Sequence, residues 1–259
     1  MKLLLKIRYI GTAYCGYQVQ PNAVTVQQRL NEAARALFGY DCDIVGCSRT
    51  DSGVHANAFC ATVSRKGSDE LACSIPLEKI PLAFSAHLSE DISVYAATWV
   101  DGAFHARYDV LEKEYLYRIY NAPVRNPFEV ERAAHLPRRI DDVGLANMQR
   151  AAATLIGRQD FSAYMAQGSS VADTVRTVTR ATVEREGDLL LFRIAADGFL
   201  YNMVRILAGT LVDVGLGKLS PDDVARITAS HDRAQAGMTM PACGLYLDRV
   251  RYDTVKFEI

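Results

Sequence analysis

One polar loop carries the clearest chemical signal in the chain. It runs from Gly46 to Ala56 and reads Gly-Cys-Ser-Arg-Thr-Asp-Ser-Gly-Val-His-Ala. The loop places one acid, Asp51, close to one base, Arg49, and is a candidate for chemistry that uses a carboxylate. A simple turn could also use Thr-Asp-Ser-Gly, because Asp and Gly suit tight turns. A turn alone, however, needs neither Arg49 nor the His-Ala that follows.

A later apolar stretch supplies a possible partner for that acid. The residues from Gly198 to Val214 predict a helix whose only charge between Asp197 and Asp213 is Arg205. A helix that is apolar on nearly every side is typically buried, and a buried guanidinium is costly unless it is paired. Asp51 is one candidate partner. Arg205 could instead reach the surface or form a structural ion pair, and the residues leave both interpretations open.

Two tyrosines lie on one face of a predicted strand from Lys113 to Asn121. Tyr115 and Tyr117 are by default aromatic residues that fill a core. A tyrosine could also stack on a nucleic-acid base and offer its hydroxyl for proton transfer. The core interpretation is preferred for Tyr117.

The remaining residue types argue against a metal site. The six cysteines show no Cys-x-x-Cys pair, which fits reduced thiols in a cytosol. The five histidines show no metal-ligand spacing, and His55 is expected to satisfy hydrogen bonds within its loop. Gly215-Leu-Gly-Lys lacks the spacing of a phosphate loop and indicates a helix stop.

Charge and composition indicate a globular protein without a membrane span. The chain has 259 residues and a formal net charge of −1, so any nucleic-acid partner would need a local basic cleft. Lys6 and Arg8 interrupt the apolar N-terminus too early for a signal peptide, which predicts a cytoplasmic protein. A basic face is weakly indicated, but neighbouring glutamates favour a solvated surface; its candidate residues are Arg107, Lys113, Arg118, Arg125, Arg138 and Arg139.

The periodicity of apolar residues predicts an α+β fold in two similar halves, 1–101 and 102–259. The first half has a strand through Leu3, Leu5 and Ile7, and a helix with a capping box of Thr25 and Gln28 that ends at Gly39. Strands then flank the Asp51 loop. A helix at 77–88 and a strand at 92–100 follow.

The second half is predicted to repeat strands and helices in a similar order. After the tyrosine strand comes a helix capped by Asp141 or Asp142 and closed by Gly157. Paired strands at 174–184 and 189–195 precede the Arg205 helix, a helix capped by Ser220 and a final strand at 245–250. The two halves are therefore expected to contain mostly antiparallel sheets flanked by helices.

Five sequence blocks in order resemble the tRNA pseudouridine synthase A family over nearly the whole chain. Arg49-Thr-Asp-Ser-Gly-Val-His-Ala is similar to the active-site loop of that family. The other four blocks are Phe104-His-Ala-Arg, Lys113-Glu-Tyr-Leu-Tyr, Phe199 through Arg205, and Gly244-Leu-Tyr-Leu.

The resemblance implies the fold and the reaction. The fold would be two α+β halves with a central active-site cleft, usually in a homodimer. The reaction would isomerise uridine to pseudouridine in the tRNA anticodon stem-loop, without metal or organic cofactor. No membrane is implied.

The resemblance also implies a role for five residues. Asp51 would be the nucleophile that acts on the ribose of the target uridine. Arg205 would pair with Asp51 and keep it ionised, and Tyr115 would stack on the base. Arg49 would help hold the target nucleotide out of its stack, and Leu245 would pack against the pocket.

Three positions depart from the family pattern. Ser48 stands where the family usually has glycine, Tyr17 where it usually has tryptophan, and Ile10 where it usually has an acidic or amide residue. These departures leave the chemistry intact and bear on RNA binding and the target position.

Two other function classes compete with this interpretation. Asp-Ser-Gly is also the active triplet of some aspartic proteases, but that chemistry needs two carboxylates and the chain has one such triplet. A non-catalytic RNA-binding module would not need the Asp51 carboxylate.

Overall fold

Antiparallel strands flanked by helices make up both compact units of the chain. The computed structural model describes residues 1–168, 171–253 and 255–257. The first unit comprises Met1–Leu111 together with the segment from Leu247 onward, and the second comprises Glu112–Tyr246. The expected α+β class with mostly antiparallel strands is confirmed.

The described elements follow one another in a simple order along the chain. The strands are β1 (Lys2–Tyr9), β2 (Cys42–Gly46), β3 (His55–Arg65), β4 (Ile92–Val100), β5 (Val110–Tyr120), β6 (Ala134–His135), β7 (Gly157–Asp160), β8 (Val175–Glu186), β9 (Leu189–Ala196) and β10 (Leu245–Tyr252). The helices are α1 (Val26–Phe38), α2 (Ile80–Ser85), α3 (Asp142–Ala153), α4 (Met203–Gly215) and α5 (Pro221–Ser230).

In the first unit, the strands lie in the order β4-β1-β3-β10, and β2 pairs antiparallel with residues 61–65 of β3. The C-terminal strand joins this unit through specific bonds. Asn57 donates to the carboxylate of Asp248 at 2.7 Å, and the Tyr252 hydroxyl donates to the carbonyl of Ala106 at 2.6 Å. The segment after residue 246 therefore packs with the N-terminal residues, whereas the sequence-based division assigned it to the second half.

In the second unit, the strands lie in the order β5-β9-β8-β7, and the short β6 runs parallel to β5. The register places Tyr115 opposite Ile194 and Tyr117 opposite Phe192. Helix α3 packs against β8, α4 and α5. Within α4, every residue except Arg205, Asp213 and Gly215 is buried, as the apolar sequence predicted.

Several helix ends differ from the sequence-based prediction for local reasons. The Thr25 side chain caps α1, but the Gln28 side chain binds Glu32 at 2.9 Å instead of closing a capping box. Helix α3 ends at Ala153, and Gly157 begins β7, a strand that the sequence did not predict. Helix α2 covers only Ile80–Ser85, preceded by a short 3-10 turn.

Helix α4 begins at Met203, five residues later than predicted. Asn202 precedes it with a φ of 58°, a left-handed conformation that cannot continue a right-handed helix. Asparagine adopts this conformation more readily than most residues. No helix in the described ranges is long and apolar enough to cross a membrane.

Tyr117, which is fully buried in β5, provides a test of the packing of the second unit. The Tyr117 hydroxyl donates to the carbonyl of Pro241 at 2.6 Å, and its side chain is buried. Tyr117→Phe is expected to lower the free energy of unfolding by about 1 kcal/mol, because the hydrogen bond from the buried tyrosine to the Pro241 carbonyl is lost. Denaturant unfolding measures this change. Tyr120→Phe is the matched control, because Tyr120 is half-buried at the end of the same strand. Its free energy of unfolding is expected to change by about 0.5 kcal/mol or less.

Candidate active site

The Asp51 loop connects β2 to β3 and turns tightly at its tip. The Val54 amide donates to the carbonyl of Asp51 at 3.2 Å, and Gly53 has a φ of 76°, in the left-handed region that favours glycine. Asp51 is half-buried and Arg49 is exposed. The carboxylate thus lies on a short turn between two strands of the first unit.

The segment from Tyr9 to Tyr17 holds this loop on both sides of Asp51. Before Asp51, the Tyr17 amide donates to the carbonyl of Thr50 at 3.1 Å, and the hydroxyls of Tyr9 and Thr50 are hydrogen-bonded at 2.8 Å. After Asp51, the Ser52 hydroxyl donates to the carbonyl of Tyr14 at 3.2 Å. Because both neighbours of Asp51 are tied to the same segment, its backbone position is closely determined.

Glycines allow the two segments to approach each other. A Cβ at Gly11 would overlap the carbonyl oxygen of Val54, and a Cβ at Gly16 would lie 2.7 Å from the carbonyl oxygen of Thr50. The Gly11 amide donates to Nδ1 of His55 at 2.9 Å. The buried His55 therefore joins the loop to the preceding segment, whereas the sequence predicted hydrogen bonds within its own loop.

Tyr17 occupies the position where the resembled family usually has tryptophan. Its ring stacks on Phe59 with centroids 4.3 Å apart, and both rings lie where a side chain at Gly46 would be. Its hydroxyl is buried without a hydrogen-bond partner in the part of the chain that the structure describes. Burial, and then the nearby Cys47, raise the pKa of Tyr17 far above its ordinary value. The hydroxyl is neutral and fills a space beside the loop.

Arg205 lies in the first turn of α4 in the second unit. Its Nε donates to the carbonyl of Met240 at 2.7 Å, and its Nη1 donates to Oδ1 of Asn202 at 2.6 Å. The Met240 amide returns a bond to the carbonyl of Arg205 at 3.2 Å. Two neutral acceptors therefore orient the guanidinium, one from a residue before Arg205 in the sequence and one from a residue after it.

The segment from Gly237 to Pro241 holds α4 closely. The Gly237 amide donates to the hydroxyl of Thr210 at 2.9 Å, and a Cβ at Gly209 would overlap the carbonyl oxygen of Met238. Sequence reasoning missed this segment. A signal was present in Gly209, because a glycine inside an otherwise apolar helix indicates a close approach of another backbone.

Tyr115 is buried in β5, with 7% of its surface exposed. Its ring meets Phe199 edge to face, with centroids 4.9 Å apart and planes at 84°. Phe199 belongs to the turn that precedes α4, so this contact connects the tyrosine strand to the arginine helix. Both residues were in sequence blocks that carried the resemblance.

Leu245 is buried at the start of β10 and follows a short 3-10 turn at Ala242–Gly244. A Cβ at Gly244 would lie 2.7 Å from the Tyr117 ring. The start of β10 therefore lies close to the tyrosine strand.

The five predicted site residues fall into two sets. Arg49 and Asp51 share one loop of the first unit, and Tyr115, Arg205 and Leu245 belong to the second unit. Within the described ranges, no group of three or more His, Cys, Asp or Glu residues could hold a metal ion.

Comparison with known proteins gives consistent matches. A family model described as tRNA pseudouridine synthase matches residues 151–253. A protein of Acetivibrio thermocellus named tRNA pseudouridine synthase A is 43% identical over 96% of this chain and 98% of its own length. Proteins of the same name from Thermoanaerobacter pseudethanolicus and Bacillus pumilus are 42% and 40% identical, over 96% and 98% of this chain and 99% and 100% of their own lengths.

Because the buried hydroxyl of Tyr17 has no hydrogen-bond partner among the described residues, we expect its removal to stabilise the protein. Tyr17→Phe is expected to raise the free energy of unfolding by about 1–3 kcal/mol, because it removes a buried polar atom that has no partner. The midpoint of thermal unfolding should rise by roughly 2–4 °C for each kcal/mol. Tyr9→Phe is the matched contrast and should lower stability, since it breaks the bond to Thr50. A loss of stability in Tyr17→Phe would contradict the assignment.

Proposed function

The chain belongs to the tRNA pseudouridine synthase A family, and from that premise we propose that it converts uridine to pseudouridine in the anticodon stem-loop of tRNA with Asp51 as the nucleophile. The observation that carries this proposal is the tethering of Thr50 and Ser52 to the segment before α1. It holds the half-buried Asp51 between two fixed neighbours. A nucleophile held in one geometry reacts at an advantage, because less orientational freedom is lost in the transition state.

The proposed reaction is an isomerisation that balances without a co-reactant. Asp51 acts on the ribose of the target uridine, so that the bond between C1′ and N1 of the base breaks. The detached base turns, and C5 forms the new bond to C1′. A proton leaves C5 and N1 gains one, so no electron acceptor or donor is required. The proposal therefore includes no metal and no organic cofactor.

Four further residues have proposed roles around Asp51. Arg205 supplies the positive charge that keeps the Asp51 carboxylate ionised, since an opposite charge favours the charged form. Its orientation by Met240 and Asn202 supports this role. Tyr115, braced by Phe199, stacks on the base. Arg49 holds the target nucleotide out of its stack.

Leu245 is proposed to pack against the base pocket, which its burial beside the tyrosine strand supports. We also propose a homodimer in the cytoplasm. Within the described residues the six cysteines form no disulfide, which is consistent with a reducing compartment.

The first test is pseudouridine mapping on unmodified tRNA incubated with the wild type and with Asp51→Asn. The wild type is expected to convert uridine in the anticodon stem-loop, and Asp51→Asn to lose at least about a thousand-fold in rate, as removal of a nucleophile does elsewhere. Asp43→Asn is the matched control, because Asp43 is exposed in the same unit and its oxygen accepts only a loop amide in the described bonds.

The outcomes of this test separate the competing functions. Conversion by Asp51→Asn at the wild-type rate would refute the nucleophile. A wild type that binds tRNA and converts no uridine would favour a non-catalytic RNA-binding module. Conversion outside the anticodon stem-loop would refute only the proposed position.

A double-mutant cycle tests the proposed role of Arg205. Arg205→Gln is expected to lower the single-turnover rate strongly. In the Asp51→Asn background, the same change should add little, because residues that act as a unit are non-additive. Single-turnover rates at saturating protein measure both effects. Rate losses that simply multiply would show that Arg205 acts independently of Asp51.

A further inference from the structure

A small cavity of about 220 Å³ opens beside the Asp51 loop within the first unit. Arg49 and Ser48 line it from the loop, Tyr17 and Gly46 line it from behind, and Arg107 and Tyr108 line it from the segment before β5. Pockets for drug-sized ligands typically begin at about 300 Å³. The cavity therefore suits one chemical group of a larger ligand.

Two arginines give this cavity a positive character. Neither Arg49 nor Arg107 forms an ion pair with a carboxylate in the residues that the structure describes, and both are exposed. The acid nearest to Arg107 in sequence is Asp109, and its carboxylate accepts a hydrogen bond from the His105 amide at 2.8 Å. Two guanidinium groups at one small cavity are suited to a phosphate, because they can donate several hydrogen bonds to its oxygens.

A rigid turn presents an aromatic ring at the same place. Nδ1 of His105 accepts bonds from the amides of Arg107 at 3.1 Å and Tyr108 at 3.3 Å. The rings of His105 and Tyr108 stack with centroids 4.2 Å apart, and the Arg107 guanidinium lies 5.9 Å from the Tyr108 centroid. Tyr108 is nevertheless 74% exposed. A fixed, exposed ring beside arginines is suited to stack on an unpaired base.

We propose that this cavity binds the RNA strand next to the target uridine, with a backbone phosphate between Arg49 and Arg107 and a neighbouring base on Tyr108. This inference rests on the proposed function. Arg49 and Asp51 are two residues apart and so lie within about 7 Å of each other along the backbone. The bound phosphate therefore belongs to the target nucleotide or to one immediately adjoining it.

The cavity is also where this chain differs from the family that it resembles. Tyr17 and Ser48, two of the three departures from the family pattern, both line it. The lining of this cavity is therefore partly particular to this chain, whereas Arg49 and Arg107 lie in blocks that match the family. Arg107 and Tyr108 act as positioning residues for the RNA, not as catalytic residues.

The test compares tRNA binding by Arg107→Gln, Tyr108→Leu and Tyr108→Phe with the wild type over a range of salt concentrations. Arg107→Gln should weaken binding about 5- to 10-fold and reduce the slope of log K against log salt by about 0.7–0.9. Tyr108→Leu should weaken binding about 5- to 100-fold with an unchanged slope, and Tyr108→Phe should bind within about twofold of the wild type.

A matched control variant tests whether the effect is specific to Arg107, and a chemical interference experiment locates the phosphates that are contacted. Arg35→Gln removes an exposed arginine of the same unit that pairs with Asp41, and it should leave affinity and salt slope unchanged. Phosphate ethylation interference should mark phosphates that adjoin the converted uridine, and Arg107→Gln should remove that mark. Thermal unfolding of all variants should match the wild type, since the three mutated side chains are exposed.

Each outcome decides the inference separately from the proposed function. If the wild type makes pseudouridine and Arg107→Gln and Tyr108→Leu bind tRNA normally, the inference is overturned and the proposed function stands. A lost mark at distant phosphates would also overturn it. If the wild type makes no pseudouridine while the variants lose tRNA affinity and salt slope, the proposed function fails and the cavity remains an RNA site.

Discussion

The geometry of the Asp51 loop depends on the backbone contact between two segments that are far apart in sequence. Thr50 and Ser52 are each bonded to the stretch between Tyr9 and Tyr17, so the residue between them has little freedom. That contact is possible only because Gly11 and Gly16 lack a Cβ. An enzyme that uses a single carboxylate needs this kind of support, since a loosely held acid would lose the advantage of orientation.

In the second unit, Arg205 is likewise positioned by a close contact between two backbone segments. A backbone segment lies against α4, and glycine at the contact allows the two chains to approach. The guanidinium is then oriented by a carbonyl from that segment and by the side chain of Asn202. Withdrawing a guanidinium from water is costly unless its donors are satisfied, and these bonds reduce that cost for the half-buried Arg205. The acid and the arginine are thus each positioned by local backbone contacts within their own unit.

The charge distribution explains how a nearly neutral protein can act on an RNA. A formal net charge of −1 gives no long-range attraction to phosphates. Arg49 and Arg107 instead form a local positive site next to the proposed nucleophile. In the proposed complex, the affinity for RNA depends on a few contacts near the reacting nucleotide, which would couple binding to correct placement of the target uridine.

The sequence by itself determined most element types and supplied the candidate reactive residues. The alternation of side chains between the two faces of a strand identified β1 and β5, and capping residues identified α1 and α5. An almost unbroken apolar run identified the buried α4. These signals are local, because each depends on residues within a few positions of one another. The motif around Asp51 was also local, and the resemblance it carried agrees with the family of the chain.

The tertiary structure decided the features that depend on distant residues. It set the start of α4 at Met203, where Asn202 is left-handed and Phe199 meets Tyr115. It also placed the part of β10 from Leu247 onward with the first unit. It brought Arg107 and Tyr108 to the cavity beside Arg49, although the sequence context of Arg107 favoured an ordinary solvated surface. No local pattern records such contacts, because they form between segments whose separation along the chain carries no information about their distance in space.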